Sequence, residues 1–208
     1  TLSVEWKCKI GAPTPWATGT HADSNNSEMA RAVLAMVDDF PELENLAVTL
    51  LQGDRDVVAP FRDYVAVDGA HHFGYDYGAT YTQLFGSMAW HSATDVNALR
   101  PYMAHLPFRA IYGLRGDDLQ PAVGDAYRLR LFSDEVSLQA IVGSRFFGNR
   151  YAETFFRERS RGSGSAFYDL LLWNPDAPAA PIEELPLVRH FRVVGSVIAR
   201  ESWDYKNS

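Results

Sequence analysis

Cysteine is nearly missing from this chain: Cys8 is the only one in 208 residues. An internal disulfide, a thiolate zinc cluster and an iron–sulfur site are therefore excluded. Basic charge is also in deficit, with 19 Lys and Arg against 26 Asp and Glu and a formal net charge of −7. That balance argues against nucleic acid or an anionic membrane as the main partner. No apolar run approaches the ~20 residues that span a bilayer, and Thr1 to Lys9 lack the charged-then-apolar pattern of a signal peptide. No initiator Met opens the chain, and Trp203 to Ser208 stop in what reads as an unfinished strand region, so a piece of a longer polypeptide is expected. There is no Gly-rich phosphate loop, nucleophile elbow or paired-carboxylate motif. Asp117-Asp118 reads as a turn, because adjacent residues seldom converge on one atom. His21, His91, His105 and His190 show no ligand spacing, and the neighbours His71 and His72 cannot easily share one ion. No metal and no cofactor is expected in this chain.

Aromatic residues run rich, with 12 Phe, 10 Tyr and 5 Trp. Tyr and Trp suit a sugar-binding cleft, since a flat apolar ring with a polar edge stacks on a pyranose and still hydrogen-bonds. For any single ring, core packing is the first reading. Arg145, Arg150, Arg157, Arg159 and Arg161 concentrate positive charge in one stretch of an acidic chain. Two readings stand: a locally basic groove, or a solvated helix face.

Periodicity predicts mostly helix. Glu5 to Asn26, with Pro13, Pro15, Gly11 and Gly19, reads as an irregular loop, and Ser24 to Ser27 offer N-caps for a helix over Glu28 to Asp38. Pro41 separates this from a second apolar run, Leu43 to Leu51, giving a helical hairpin closed by a turn at Gly53-Asp54. Further helices are expected around Tyr81 to Met88, Val96 to Leu106 with Pro101 at or near its start, Val136 to Val142, Tyr151 to Arg159 and Ala166 to Trp173. Gly113 to Gly124 reads as a long polar loop. Pro175, Pro178, Pro181 and Pro186 then mark a linker, and Val188 to Arg200 turns β-branched with partial alternation, as the first strands of a β domain. The resulting division is a helical part over 1–174, a linker over 175–186 and a β domain from 187 to 208. No residue-level repeat is visible, but successive helices with short connections describe a helical array or toroid.

Between Asp68 and Thr82 lies the run Asp68-Gly69-Ala70-His71-His72-Phe73-Gly74-Tyr75-Asp76-Tyr77-Gly78. It resembles the catalytic segment of the heparinase II/III-type lyases and the related dermatan-sulfate epimerase, which present an Asp-Gly pair and then a tyrosine directly before a glycine at the mouth of a toroid helix. Tyr77-Gly78 aligns there without a gap. Chondroitin and hyaluronate lyases with the same toroid also place a His several residues before a Tyr-Gly, a place that His71 or His72 fills. Val123-Gly124-Asp125 is similar to the family's Phe-Gly-Asp turn, and Gly195 to Asp204 resembles its first β-sandwich strands. Upstream, Trp6 to Pro13 is faintly similar to a Trp-rich toroid segment. The resemblance covers about Asp68 to Asp204. It implies an incomplete (α/α) toroid, mainly α, followed by the first strands of an antiparallel β-sandwich. It further implies lyase activity on uronic-acid-containing polysaccharides or oligosaccharides, and a secreted or periplasmic protein. The chain departs from the family in two ways: the catalytic His and the metal site drawn from the sandwich fall after its end, and the chondroitin lyases' Arg-rich segment is not evident.

β-Elimination removes the proton on C5 of a uronate, which is weakly acidic while the neighbouring carboxylate is negative. Donors or cations must neutralise that carboxylate, a base takes the proton, and an acid protonates the departing glycosidic oxygen. The resemblance assigns the catalytic role to Tyr77, with Tyr75 as its rival, and makes His71 or His72 the base or carboxylate partner. An aromatic anchor and a solvent-exposed His pair are the competing readings. Asn25 and Asn26 are candidate carboxylate-neutralising amides, or ordinary N-caps. Arg115, Arg145 and Arg150 are candidate contacts to a carboxylate or sulfate, or surface ion pairs. Besides a lyase, the chain fits a uronate C5 epimerase, a glycan-binding toroid without chemistry, or a structural helical domain.

Overall fold

The computed structural model describes residues 20–65, 67–69, 76–95, 99–117, 119–120, 130–131, 134–159, 166–192 and 194–206; for 20–26, 61, 65, 76–83, 120, 130–131 and 134–136 the backbone alone is described. The described chain is mainly helical, with two small antiparallel strand pairs. None of its helices is long and apolar enough to cross a membrane. It divides into two compact units, one of residues 1–64 and 75–100, the other of 65–74 and 101–208.

In the first unit α1 (Thr20–Met36) packs on α4 (Asp76–Thr94), with a 3₁₀ turn (Pro41–Leu43) and α2 (Glu44–Gly53) beside α1. Met29, Ala30 and Val33 of α1 and Leu84, Phe85 and Met88 of α4 recur at helical spacing and are buried. Each large apolar side chain so buried contributes about 1.5–3 kcal/mol. The helices approach closely at Gly86, where a Cβ would meet the Ser27 side chain at 2.9 Å. The turn expected at Gly53-Asp54 does not form. The helix continues through a π segment (Asp54–Val58), whose end is marked by the Ala59 N–H bonding the Asp54 carbonyl, into α3 (Ala59–Val65). The buried positions explain why: Ala47, Leu50 and Gly53 are followed by Val58, five residues on, and a wider turn returns that side chain to the core. Asp54 also accepts the Trp90 indole N–H at 2.9 Å, which satisfies the polar edge of a buried ring.

The second unit is built on α5 (Arg100–His105), α6 (Pro107–Gly113), α7 (Asp134–Arg145) and α8 (Arg150–Arg159), followed by α9 (Ala166–Leu171). Pro101 and Pro107 sit in the first turns of their helices, where a missing N–H costs nothing. Asn149 caps α8 by accepting the N–H groups of Tyr151 and Ala152, both at 3.1 Å, and its amide donates to the Ala104 carbonyl at 2.7 Å. The stretch expected as a polar loop from Gly113 contains β1 (Leu119–Gln120), paired with β2 (Arg130–Leu131).

The proline-rich segment is packed rather than spanning free. Ala177, Ala180, Ile182 and Leu185 are buried, a 3₁₀ turn covers Ile182–Glu184, and Ala180 exchanges bonds with α8 through Arg150 and Thr154. It leads into the antiparallel hairpin β3 (Val188–Phe191) and β4 (Ser196–Ala199), with His190 opposite Val197. Strand structure is as expected here. The hairpin shares one core with α6 and α8, however: Phe191 and Tyr205 join Phe108, Ile111, Tyr112, Leu114 and Phe155. The compact units thus divide the chain elsewhere than at the expected 174/187 boundary. Arg200 closes the join by donating to the carbonyls of Tyr112 and Leu114 at the end of α6, at 3.1 and 2.6 Å.

Glu153, fully buried on α8, is the charged centre of this unit. It accepts Arg157 Nε at 2.7 Å, Arg145 Nε and Nη2 at 3.2 Å each, and the Ser144 hydroxyl. Burial pushes its pKa up, but the hydrogen bonds from Arg145, Ser144 and Arg157 prevail and hold it below the ordinary glutamate value. A depressed folded-state pKa gives stability that is present above the unfolded-state value and lost as pH falls through the folded one. Acid denaturation monitored by circular dichroism should therefore show stability falling below the ordinary glutamate range. Glu153→Gln should lower neutral-pH stability by about 3–5 kcal/mol in denaturant melts and flatten that acid dependence.

Candidate functional site

The segment that carries the family resemblance begins at the turn Val67-Asp68-Gly69, and this turn is held from two sides within the second unit. The Asp68 carboxylate accepts the Arg192 N–H, just beyond β3, at 2.8 Å. The Asp68 carbonyl accepts Arg189 Nη2 at 2.9 Å. From α5, His105 Nδ1 lies 2.7 Å from the Val67 carbonyl. Gly69 has φ +90°, and a Cβ there would stand 2.0 Å from the His105 carbonyl oxygen. Both the backbone conformation and the space demand glycine.

The arginine that reaches this turn is itself enclosed by rings. The Arg189 guanidinium carbon lies 4.1 Å from the Phe108 ring centroid, 5.3 Å from Phe191 and 5.6 Å from Tyr112. Burial lowers its pKa, while the Tyr112 and Asp68 side chains favour the charge. Burial likewise raises the Tyr112 phenol, which donates to the Pro186 carbonyl at 2.8 Å. The Tyr112 hydroxyl and Arg189 Nη2 thus both donate to backbone carbonyls, while Arg189 Nε is buried without a partner.

Tyr77 is the second residue of α4; the structure describes its backbone only. His71, His72 and Tyr75 lie outside the described residues, as do Val123 to Asp125, Trp6 to Pro13 and Arg161. Asn25 and Asn26 do not begin a helix. The chain is already helical from Thr20, so they occupy the interior of α1 and are not its N-caps.

The three arginines separate. Arg145 is a correction to the expected basic cleft: its side chain is 9% exposed, paired with Glu153, and its Nη1 donates to the Leu172 carbonyl at 2.9 Å. Arg157 turns the same way, with Nη2 donating to the carbonyls of Pro175 and Ala177. Both bind down the packed segment after α9, because a fully buried carboxylate demands their charge. Arg115 forms an exposed ion pair with Asp117 at 2.8 Å. Arg150 is exposed, with a 3.4 Å approach of Nη2 to the Ala179 carbonyl, and is the member of this group most available to a ligand.

Among the described residues no group of three His, Cys, Asp or Glu side chains is disposed to hold a metal ion. Sequence reasoning missed His105, Arg189 and Arg192. The Asp-Gly pair was a visible signal, but its partners lie 36 to 124 positions away and nothing in local pattern points to them. Comparison with family models, curated proteins and solved structures returned no match.

Gly69→Ala should destabilise the second unit by about 1–3 kcal/mol through the left-handed backbone alone, and by more through the clash with His105. Thermal melts of this variant beside Gly148→Ala, at an open position of φ +82°, measure the steric part. Equal losses in the two variants would contradict the clamp.

Proposed function

We propose that this chain belongs to a polysaccharide lyase that cleaves uronic-acid-containing acidic glycans by β-elimination. The observation that carries the reading is the Asp68-Gly69 turn, the residue pair heading the lyase-like segment, on which His105, Arg189 and Arg192 converge and where only glycine fits. The turn at the head of the lyase-like run is itself fixed, and fixed geometry is what proton transfer demands. The start of α4 immediately before Tyr77 agrees with a tyrosine at the mouth of a toroid helix. In this reading the helices are part of an incomplete (α/α) toroid, and the β3–β4 hairpin opens a β-sandwich.

Tyr77 is the proposed acid or base. A neutral phenol protonates the departing glycosidic oxygen, and a phenolate formed beside cations removes the C5 proton. His71 or His72 is the partner base, or the donor to the substrate carboxylate. Tyr75, Asn25, Asn26, Arg115 and Arg150 are the candidate substrate contacts; Arg145 drops out because Glu153 and Leu172 take its donors. Excess negative charge on the chain repels an acidic glycan, so binding has to draw on a locally positive surface, whose attraction weakens with salt. A secreted or periplasmic location goes with this reading, by the same resemblance.

Tyr77→Phe deletes one oxygen and keeps the ring. With a panel of uronate polysaccharides, release of unsaturated product absorbing in the near ultraviolet should fall ~10²–10⁴-fold in this variant, while melting is unchanged and Tyr75→Phe stays active. Full activity of Tyr77→Phe would transfer the role to Tyr75. Tight glycan binding by the wild type with no product would support the binding module instead.

A further inference from the structure

We infer that the apolar face of α9 binds a second copy of this chain, the same face of each copy closing on the other about a two-fold axis. The surface lies wholly within the second unit and does not rest on the lyase reading. Phe167, Leu170 and Leu171 recur at helical spacing on α9, and Trp173 stands just beyond it. These four side chains are 65%, 77%, 58% and 69% exposed, and among the described residues no other stretch of seven holds so many large apolar groups in water. Their outward position is fixed from inside. Leu172, between them, is buried; its N–H donates to the Tyr168 carbonyl at 2.9 Å, and its own carbonyl accepts Arg145 Nη1 of the Glu153 cluster at 2.9 Å. The Trp173 N–H donates to the Leu170 carbonyl at 3.1 Å, and Phe167 meets the Tyr168 ring edge-on, with centroids 5.3 Å apart.

Area and charge select the occupant. Large aromatic side chains carry about 150–250 Å² each, so two rings and two leucines exposed to this extent present roughly 500 Å² of apolar surface in one patch. Two such patches face to face remove about 1,000 Å² from water, the size at which a specific interface holds. A two-fold contact needs the same patch on both sides, which an apolar centre satisfies. The rim carries both signs: Asp169 flanks the face on α9, Asp176 follows it, and Arg157, 44% exposed, reaches the Pro175 carbonyl at 3.0 Å. An anionic bilayer or an acidic glycan meets like charge at those carboxylates. A second copy offers each sign its opposite.

Sedimentation velocity of the intact chain, from micromolar to near-millimolar concentration, tests this. The wild type should pass from monomer to dimer within that range. Leu170→Glu should weaken the association ~10²-fold, because two carboxylates then face each other across the axis. Its Tm and circular dichroism should match the wild type, since Leu170 makes little use of the core. Should Leu170→Glu melt early, Leu170→Ser decides by the same criterion, with a loss of ~10-fold from the missing apolar contact alone. Val48→Glu, at an exposed apolar position of the first unit, is the control and should associate like the wild type. A wild type that stays monomeric at every concentration overturns the inference, and does so in favour of a lipid surface if it also floats with neutral phosphatidylcholine vesicles. Folded Leu170 variants that dimerise as tightly as the wild type overturn it too, by moving the contact to another surface.

Discussion

A fully buried carboxylate sets the terms for the larger unit. Glu153 has no solvent to share its charge with, so Arg145, Arg157 and Ser144 must stay where they are, and α7, α8 and the segment from Leu172 to Ala177 stay with them. The attraction within such a cluster is offset by desolvation of every member. Its value to the fold is therefore geometric: taking away any one partner leaves an uncompensated buried charge, and only one arrangement of the two helices satisfies all of them. The same constraint decides what the molecule shows to a ligand. In an arginine-rich stretch that would make a basic groove, Arg145 is turned inward and Arg157, although 44% exposed, commits its guanidinium to Glu153 and the carbonyls of Pro175 and Ala177, while Arg150 is exposed.

A second chain of contacts runs from this core to the candidate site. The β3–β4 hairpin packs its inner face, Phe191 with Arg189 and Ile198, onto α6 through Tyr112 and Trp203. Arg189, against the rings of Phe108, Phe191 and Tyr112, reaches the Asp68 carbonyl, and Arg192 just beyond β3 gives its N–H to the Asp68 carboxylate. On the opposite side α5 contributes His105 and the tight approach to Gly69. The turn is thus determined by residues remote in sequence. A two-stranded hairpin is marginal alone, so its packing on the helices is what makes it usable as a support.

Much of the helical architecture was legible in the sequence. The 3.6-residue spacing around Leu84 to Met88 and over Tyr151 to Arg159 located α4 and α8, and β-branched alternation located the hairpin. Local chemistry misled where tertiary packing overrode it. Gly53-Asp54 has turn composition, yet burying Val58 required the helix to continue through a wider turn. Four prolines read as a linker, yet the small and apolar residues between them, Ala177, Ala180 and Ile182, face a core. Ser24 to Ser27 are good capping residues lying inside a helix that starts at Thr20. For the site, the Asp-Gly pair and Tyr77 were visible as a pattern. The groups holding the pair were not, because hydrogen bonds across more than a hundred residues leave no periodic trace.

Elimination differs from hydrolysis and from epimerisation in what happens to one proton and one bond. Digestion of a uronate polysaccharide in heavy water, followed by mass spectrometry of the products, measures both. The account predicts shorter oligosaccharides lighter by one water than the hydrolysis products, with no deuterium at C5 of the new terminal sugar. Products of full hydrolytic mass, or an uncut polymer that gains deuterium at C5, would contradict it.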